Sequence, residues 1–208
     1  MKMSKKFIKL NKDYYRYIEE YDWVDVTDHL HGFESIFHKL RERLMLRFIN
    51  KYKKEGKFLD AGCGTGLFLR HLPKNSVGID INPRNIIKAK KYAAYAKIIE
   101  GDIENTPFDN EEFSVIVCTE VFEHLPDPKL ALKEFKRILH DDGLIIGSVP
   151  SISPIWFFRF LSSTCPRGEP YHKNYKKREL IELFKDFKII KLKMSAMWMS
   201  YFFVLRKK

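Results

Sequence analysis

The chain predicts an α/β protein: a mostly parallel sheet covered by helices and finished by an antiparallel hairpin. From Lys57 onward short apolar runs alternate with amphipathic stretches, the alternation of strands and crossover helices. Pro83 and Pro128 stand where two of these helices begin, at first-turn positions that need no backbone donor. The last two apolar runs are separated only by Ser195–Met197, too few residues for a crossover, so they pair antiparallel.

Strands are expected over Lys57–Ala61, Ser76–Ile81, Lys97–Glu100, Phe113–Thr119, Leu144–Val149, Phe187–Met194 and Trp198–Arg206. Helices are expected over Gly66–His71, Pro83–Tyr95, Pro128–Leu139 and Lys176–Phe184, with Asp141–Gly143 a turn into the fifth strand. Before them lies an aromatic and then helical stretch carrying Phe37, Leu40, Leu44 and Phe48 at spacings of three to four. This extension is expected to cross one end of the sheet.

The 208 residues suit one domain large enough to bury a core without staples. Cys63, Cys118 and Cys165 form no CxxC pair, so neither a disulfide framework nor a zinc site is expected, and no metal is assigned. The basic start lacks the apolar run of a signal peptide, and runs such as Phe202–Leu205 are too short to span a bilayer; a soluble protein of the reducing cytoplasm is expected. The net charge of +11 is uneven. Residues 1–58 hold 14 basic and 9 acidic groups, 59–158 hold 11 and 14, and 159–208 hold 13 and 4. Such a tail attracts nucleic acid, anionic lipid or phosphorylated metabolites, or is simply solvated. Glutamine is absent while Lys, Glu and Ile are plentiful, a bias of proteins from hot environments.

The stretch FLDAGCGTG places Gly62, Gly64 and Gly66 just after an apolar strand ending at Asp60. Glycines there let a ligand approach the main chain. A dinucleotide fingerprint requires a small residue where Leu67 stands, Asp60 would repel a phosphate, and no Gly-Lys-Ser/Thr of a phosphate-binding loop follows. A carboxylate instead suits a ligand carrying an ammonium or a sulfonium, and S-adenosylmethionine carries both. Asp80, at the end of the second strand, is placed to accept from ribose hydroxyls, with Ile81 an apolar wall for the adenine. Asp102 follows the third strand as an acceptor for the adenine amino group, with Ile103 at the ring.

Taken in order, LDAGCGTG, GIDI, GDIENTPF, TEVFEHLPDP and LKEFKRILHDDGLIIGSVP resemble the motifs of class I S-adenosylmethionine-dependent methyltransferases. The similarity is strongest to the small-molecule enzymes of ubiquinone and menaquinone biosynthesis, and it runs from Leu59 to Val149. It implies a Rossmann-like, doubly wound, mostly parallel seven-stranded sheet with the last strand antiparallel. It also implies direct displacement, in which an oxygen, nitrogen or carbon of the substrate attacks the methyl group. One domain is then divided into a helical cap (1–56), a cofactor-binding core (57–149), a lid insertion (150–175) and a C-terminal helix with hairpin (176–208).

In this reading Asp60, Gly62, Gly64 and Gly66 cradle the methionine portion, and Cys63 is a small filler beside it. The main chain at Thr119 and Glu120 receives the ammonium, and His124 is the candidate base. The insertion brings Trp156, Phe157, Tyr171 and His172 as substrate candidates. It reads as a lid over an apolar or aromatic molecule, as an interfacial element for a lipid-linked substrate, or as plain packing. Methylation of RNA through the basic tail is the alternative, although an Asn/Asp-Pro-Pro-Tyr/Phe motif is missing after the fourth strand. A cofactor-sensing regulator is a third class. The acceptor and the oligomeric state are not legible.

Overall fold

The computed structural model describes residues 4–19, 22–29, 33–153, 169–195 and 198–208, with only the backbone at 33, 34 and 37. Three helices come first: α1 (Lys5–Tyr17), α2 (Trp23–Asp28) and α3 (Phe33–Tyr52). The core continues as β1 (Phe58–Ala61), β2 (Val77–Asp80), α4 (Pro83–Tyr92), β3 (Lys97–Glu100), β4 (Phe113–Thr119), α5 (Pro128–Ile138) and β5 (Leu139–Pro150). It ends with α6 (Lys177–Leu183), β6 (Phe187–Met194) and β7 (Ser200–Lys207).

The seven strands form one sheet in the order β3-β2-β1-β4-β5-β7-β6. β1 to β5 are mutually parallel, and β7 runs antiparallel to both β5 and β6, so it alone is reversed. The hairpin expected from the short Ser195–Met197 connection is present, with the last strand inserted between β5 and β6.

Alternation along the strands feeds two apolar layers. Ile116, Cys118, Phe203 and Leu205 face Phe122, Phe135, Ile138 and Phe184 on the α5 and α6 side. Val115, Val117, Phe202 and Val204 face Met45, Phe48, Ile86 and Ala89 on the α3 and α4 side. All four residues of β1 and of β2 are buried, as central parallel strands require.

Three expectations are corrected. The helix read over Gly66–His71 is only a 3-10 turn, Leu69–His71, closed by bonds from His71 to Phe68 and from Leu72 to Leu69. Gly66 precedes it at φ 92° and Pro73 follows Leu72, so a single α-type bond, from Arg70 N–H to the Gly66 carbonyl at 3.1 Å, forms and no ladder continues from it. On α3 the buried face is Glu42, Met45, Phe48 and Ile49, whereas Leu40 is 37% exposed. An acid holds the centre of that face because Arg70 reaches it from the 3-10 turn at 2.7 Å and grips Asp28 of α2 through two further N–H groups. The expected Asp141–Gly143 turn appears as a bulge within β5. Phe113 pairs with Leu139 but Val115 with Leu144, and Asp142 takes φ 61°.

The basic C-terminal charge has a place in this architecture. Lys188, Lys191 and Lys193 stand exposed on β6, the sheet edge, where lysines deter pairing with another strand. Lys207 is bound to Glu111 and Asp141, and Lys185 to Glu182. No helix among the described residues is long and apolar enough to cross a membrane.

Candidate functional site

The sheet order reverses direction between β1 and β4, and a crevice opens beyond the C-terminal ends of such strands. Asp60, Asp80, Asp102 and Glu120 all come to these ends, each from a different strand.

The glycine loop is pinned to β2. The N–H groups of Gly62 and Cys63 both donate to the Ile79 carbonyl, at 2.8 and 3.0 Å, and Gly64 N–H donates to Asp80 Oδ2 at 2.8 Å. Gly62 has φ 73°, and a Cβ there would meet Val121 at 2.6 Å. Gly64, at φ 51°, has no atom of the described residues beyond its chain neighbours within 4 Å of the same position, so its bare face is open.

Two buried carboxylates lie behind the loop. Asp60 is 1% exposed and its Oδ2 has no hydrogen-bond partner among the described residues. Burial and the neighbouring charge of Asp80 raise its pKa to about 7. Burial also raises the pKa of Asp80, which is held against that by Asn82 N–H at 2.9 Å, Gly64 N–H and the Asn85 amide. Helix α4 is capped by Asn82, whose side chain accepts from Arg84 N–H at 3.0 Å. Burial, with Asp80 and Asp60 nearby, pushes the Cys63 thiol well up, so it stays protonated.

Ile81 is half-buried past the end of β2, and Ile103 is packed in the core beside Phe108. Asp102 accepts from Glu104 N–H at 2.9 Å and from the Lys12 ammonium at 2.6 Å. Lys12 also pairs with Glu104. Helix α1 therefore lies across the strand ends. Asn11 donates to the His124 carbonyl, and the Asn82 amide donates to the carbonyls of Tyr15 and Ile18.

At the end of β4, Thr119 pairs in register with Ser148. Glu120 has φ 54°, a left-handed conformation rare outside glycine and concentrated at functional sites. Its carboxylate accepts from Ser148 Oγ at 2.7 Å and faces Arg41 at 3.5 Å. The 3-10 turn Phe122–His124 then buries Glu123 to 2% exposure, with Oε2 lacking a hydrogen-bond partner. Burial and Glu120 push its carboxyl well above the usual range, and Arg41 offsets this in part.

His124 Nδ1 lies 2.8 Å from the Tyr15 hydroxyl, which donates to the Tyr171 carbonyl at 3.0 Å. His172 packs edge-on against His124, ring centres 5.2 Å apart, and its Nδ1 lies 2.8 Å from Glu169. Thus His124, Tyr171 and His172 lie together, whereas Trp156 and Phe157 fall outside the described residues.

Sequence reading missed Lys12, Tyr15, Arg41, Asn82, Glu123 and Glu169. Asn82 carried a signal, an Asn directly before a first-turn proline. Glu123 carried a weaker one, an acid set among Val121, Phe122 and Leu125. The others come from distant segments and gave none.

A family model described as methyltransferase domain matches residues 59–147. A rice protein named 2-methyl-6-phytyl-1,4-hydroquinone methyltransferase 2, chloroplastic, is 31% identical over 66% of this chain and 41% of its own length. The chain thus spans less than half of that relative. Uncharacterized protein MJ1123 of Methanocaldococcus jannaschii is 32% identical over 85% of this chain and 81% of its own. Among solved structures, the PH0226 protein of Pyrococcus horikoshii OT3 shares the fold with a TM-score of 0.70, at 23% identity over 94% of this chain and 99% of that one. With the glycine loop, the strand-end carboxylates and the reversed seventh strand, these matches show that the chain belongs to the class I S-adenosylmethionine-dependent methyltransferases.

Proposed function

We propose that the crevice binds S-adenosylmethionine and passes its methyl group by direct displacement to a small, apolar or aromatic acceptor. One observation carries this reading: the buried Asp60 carboxylate, with an oxygen that has no partner among the described residues, is close in charge to Asp80, which holds the N–H of the open Gly64. Two adjacent buried carboxylates favour a cationic ligand and disfavour a polyphosphate. Asp80 has acceptor capacity left for a ribose hydroxyl, since a carboxylate takes about four donors. Asp102 would receive the adenine amino group beside Lys12, with Ile81 and Ile103 near the ring. The main chain at Thr119 and Glu120 borders the methionine end.

The rice relative's name specifies a hydroquinone, which supports an aromatic acceptor. In this reading His124 serves the acceptor end, with Nδ1 engaged by the Tyr15 hydroxyl. Tyr171 and His172 border the same space. Positioning supplies much of the acceleration, because aligned reactants have high effective molarity.

Calorimetric titration with S-adenosylmethionine tests the reading. Asp80→Ala removes the anchor of Gly64 and the ribose acceptor together, so affinity is expected to fall about 10- to 100-fold, the worth of one or two charge-assisted bonds. Unchanged affinity, or tighter binding of NAD than of S-adenosylmethionine, refutes it.

A further inference from the structure

We propose that His124, Glu169 and His172 form a divalent transition-metal site that holds and acidifies an oxygen of the methyl acceptor. This rests on the methyltransferase reading and refines the part given to His124. One donor atom from each residue lies within 4.8 Å of the other two. A tetrahedral ion with bonds of about 2.0–2.2 Å keeps its donors about 3.4 Å apart, so closure needs shifts on the order of 1 Å. His172 Nδ1 and Glu169 Oε2 are already 2.8 Å apart, yet in a direction that makes no hydrogen bond for the ring nitrogen.

The surroundings fit coordination. The Tyr15 hydroxyl carries one proton, and the Tyr171 carbonyl, which can only accept, takes it at 3.0 Å. Tyr15 oxygen then accepts from His124 Nδ1–H, which leaves the lone pair of the neutral ring on Nε2. This is the usual arrangement of a ligating histidine, whose second nitrogen is oriented by a hydrogen-bonded partner.

Glu123 lies against this cluster. It is 2% exposed, its Oε2 has no hydrogen-bond partner, and its Oε1 lies 3.9 Å from His124 Nε2. The side chains of His124, Glu169 and His172 are 26%, 13% and 23% exposed, so the site has an open side for a further ligand. Two imidazoles and one carboxylate select Zn²⁺, Co²⁺ or Fe²⁺ over Mg²⁺ or Ca²⁺.

A hydroxyl bound at the open position loses its proton to water more readily. The alkoxide or phenolate oxygen then attacks the methyl carbon. The new O–C bond forms as the S–C bond breaks, and the bonding pair stays on sulfur, which becomes the neutral thioether. The acceptor class is therefore a hydroxyl compound, such as a phenol.

The test uses the full chain, freed of metal by a chelator and titrated with Co²⁺ and Zn²⁺. One equivalent is expected, with visible Co²⁺ bands of a four- or five-coordinate site. His172→Ala and the near-isosteric Glu169→Gln should each weaken binding about 100-fold and abolish the bands. Tyr15→Phe should weaken it about 10- to 100-fold, as loss of an orienting partner does. S-adenosylmethionine binding in the same variants should stay within about threefold, which confirms folding and checks the cofactor site separately. Absence of Co²⁺ bands, or bands unchanged in both variants, overturns the metal site. If cofactor binding persists in that case, the methyltransferase reading stands without the metal.

Discussion

Asp60→Asn separates the stability of this protein from its cofactor chemistry. The Asp60 carboxyl is raised from 3.8 to about 7 by burial and by Asp80. The folded protein therefore binds this proton more tightly than the unfolded chain does. Between those two values stability falls as pH rises, and above about 7 the whole penalty is present. At about 1.4 kcal/mol for each pH unit between the two values, the penalty totals about 4 kcal/mol, of which about 3 kcal/mol develops between pH 5 and 7. Asparagine cannot ionise, so the variant escapes this loss. Its unpaired amide costs about 1–3 kcal/mol at every pH and cancels when two pH values are compared. Denaturant unfolding of both proteins at pH 5 and 8 should show the variant gaining about 3 kcal/mol on the native chain across that interval. The affinity of the native chain for the cationic cofactor should rise up to about 100-fold from pH 5 to 7, since binding requires release of one proton, while the variant should be flat. Parallel stability profiles would refute the reasoning, because they would mean that Asp60 is solvated or ionised throughout.

Two substitutions test the frame around the site. Gly62→Ala forces a Cβ at φ 73° to within 2.6 Å of Val121, so it should destabilise by about 1–3 kcal/mol in denaturant unfolding; a loss below about 0.5 kcal/mol would show that the loop can re-form without its glycine. Phe203→Ala empties a fully buried site between Phe184, 4.8 Å away, and Phe122, stacked at 6.0 Å, and should lose about 3–5 kcal/mol; a loss under about 1 kcal/mol would mean that β7 does not pack against both rings.

The strands and their chain order were legible because β1, β2, β4 and β5 are buried on both faces, and burial leaves apolar runs that no turn interrupts. The strand-end acids Asp60, Asp80 and Asp102 were legible for a related reason. Each is a charge at the end of an apolar run, where the sequence changes character within one or two residues. Local signals failed where tertiary packing decides. The Gly66–His71 segment looks helical by composition, but Gly66 and Pro73 leave it one turn. On α3 the apolar spacing pointed to Leu40, yet the buried face turns to include Glu42 because Arg70 is there to receive it.

The proposed acceptor end of the crevice shows most clearly why a function can be half-legible. His124, Tyr171 and His172 were each named from the sequence, but for separate reasons and in separate segments. What joins them is Tyr15, 109 residues from His124 and 156 from Tyr171, on a helix whose docking is set by polar matches at Asn11, Lys12 and Asn82. Apolar periodicity places a helix against a layer, but it does not choose which carbonyl an asparagine meets. The proposed cofactor half of the site is written in consecutive residues of single strand ends. The acceptor half is assembled from α1, the turn after β4 and the residues before α6. That division has a physical consequence: a donor arriving at Asp102 shares its carboxylate with Lys12, so the cofactor half and the helix that carries Tyr15 meet at one ion pair. Any change in how α1 lies across the strand ends alters the carboxylate proposed to meet the adenine and the His124 ring together.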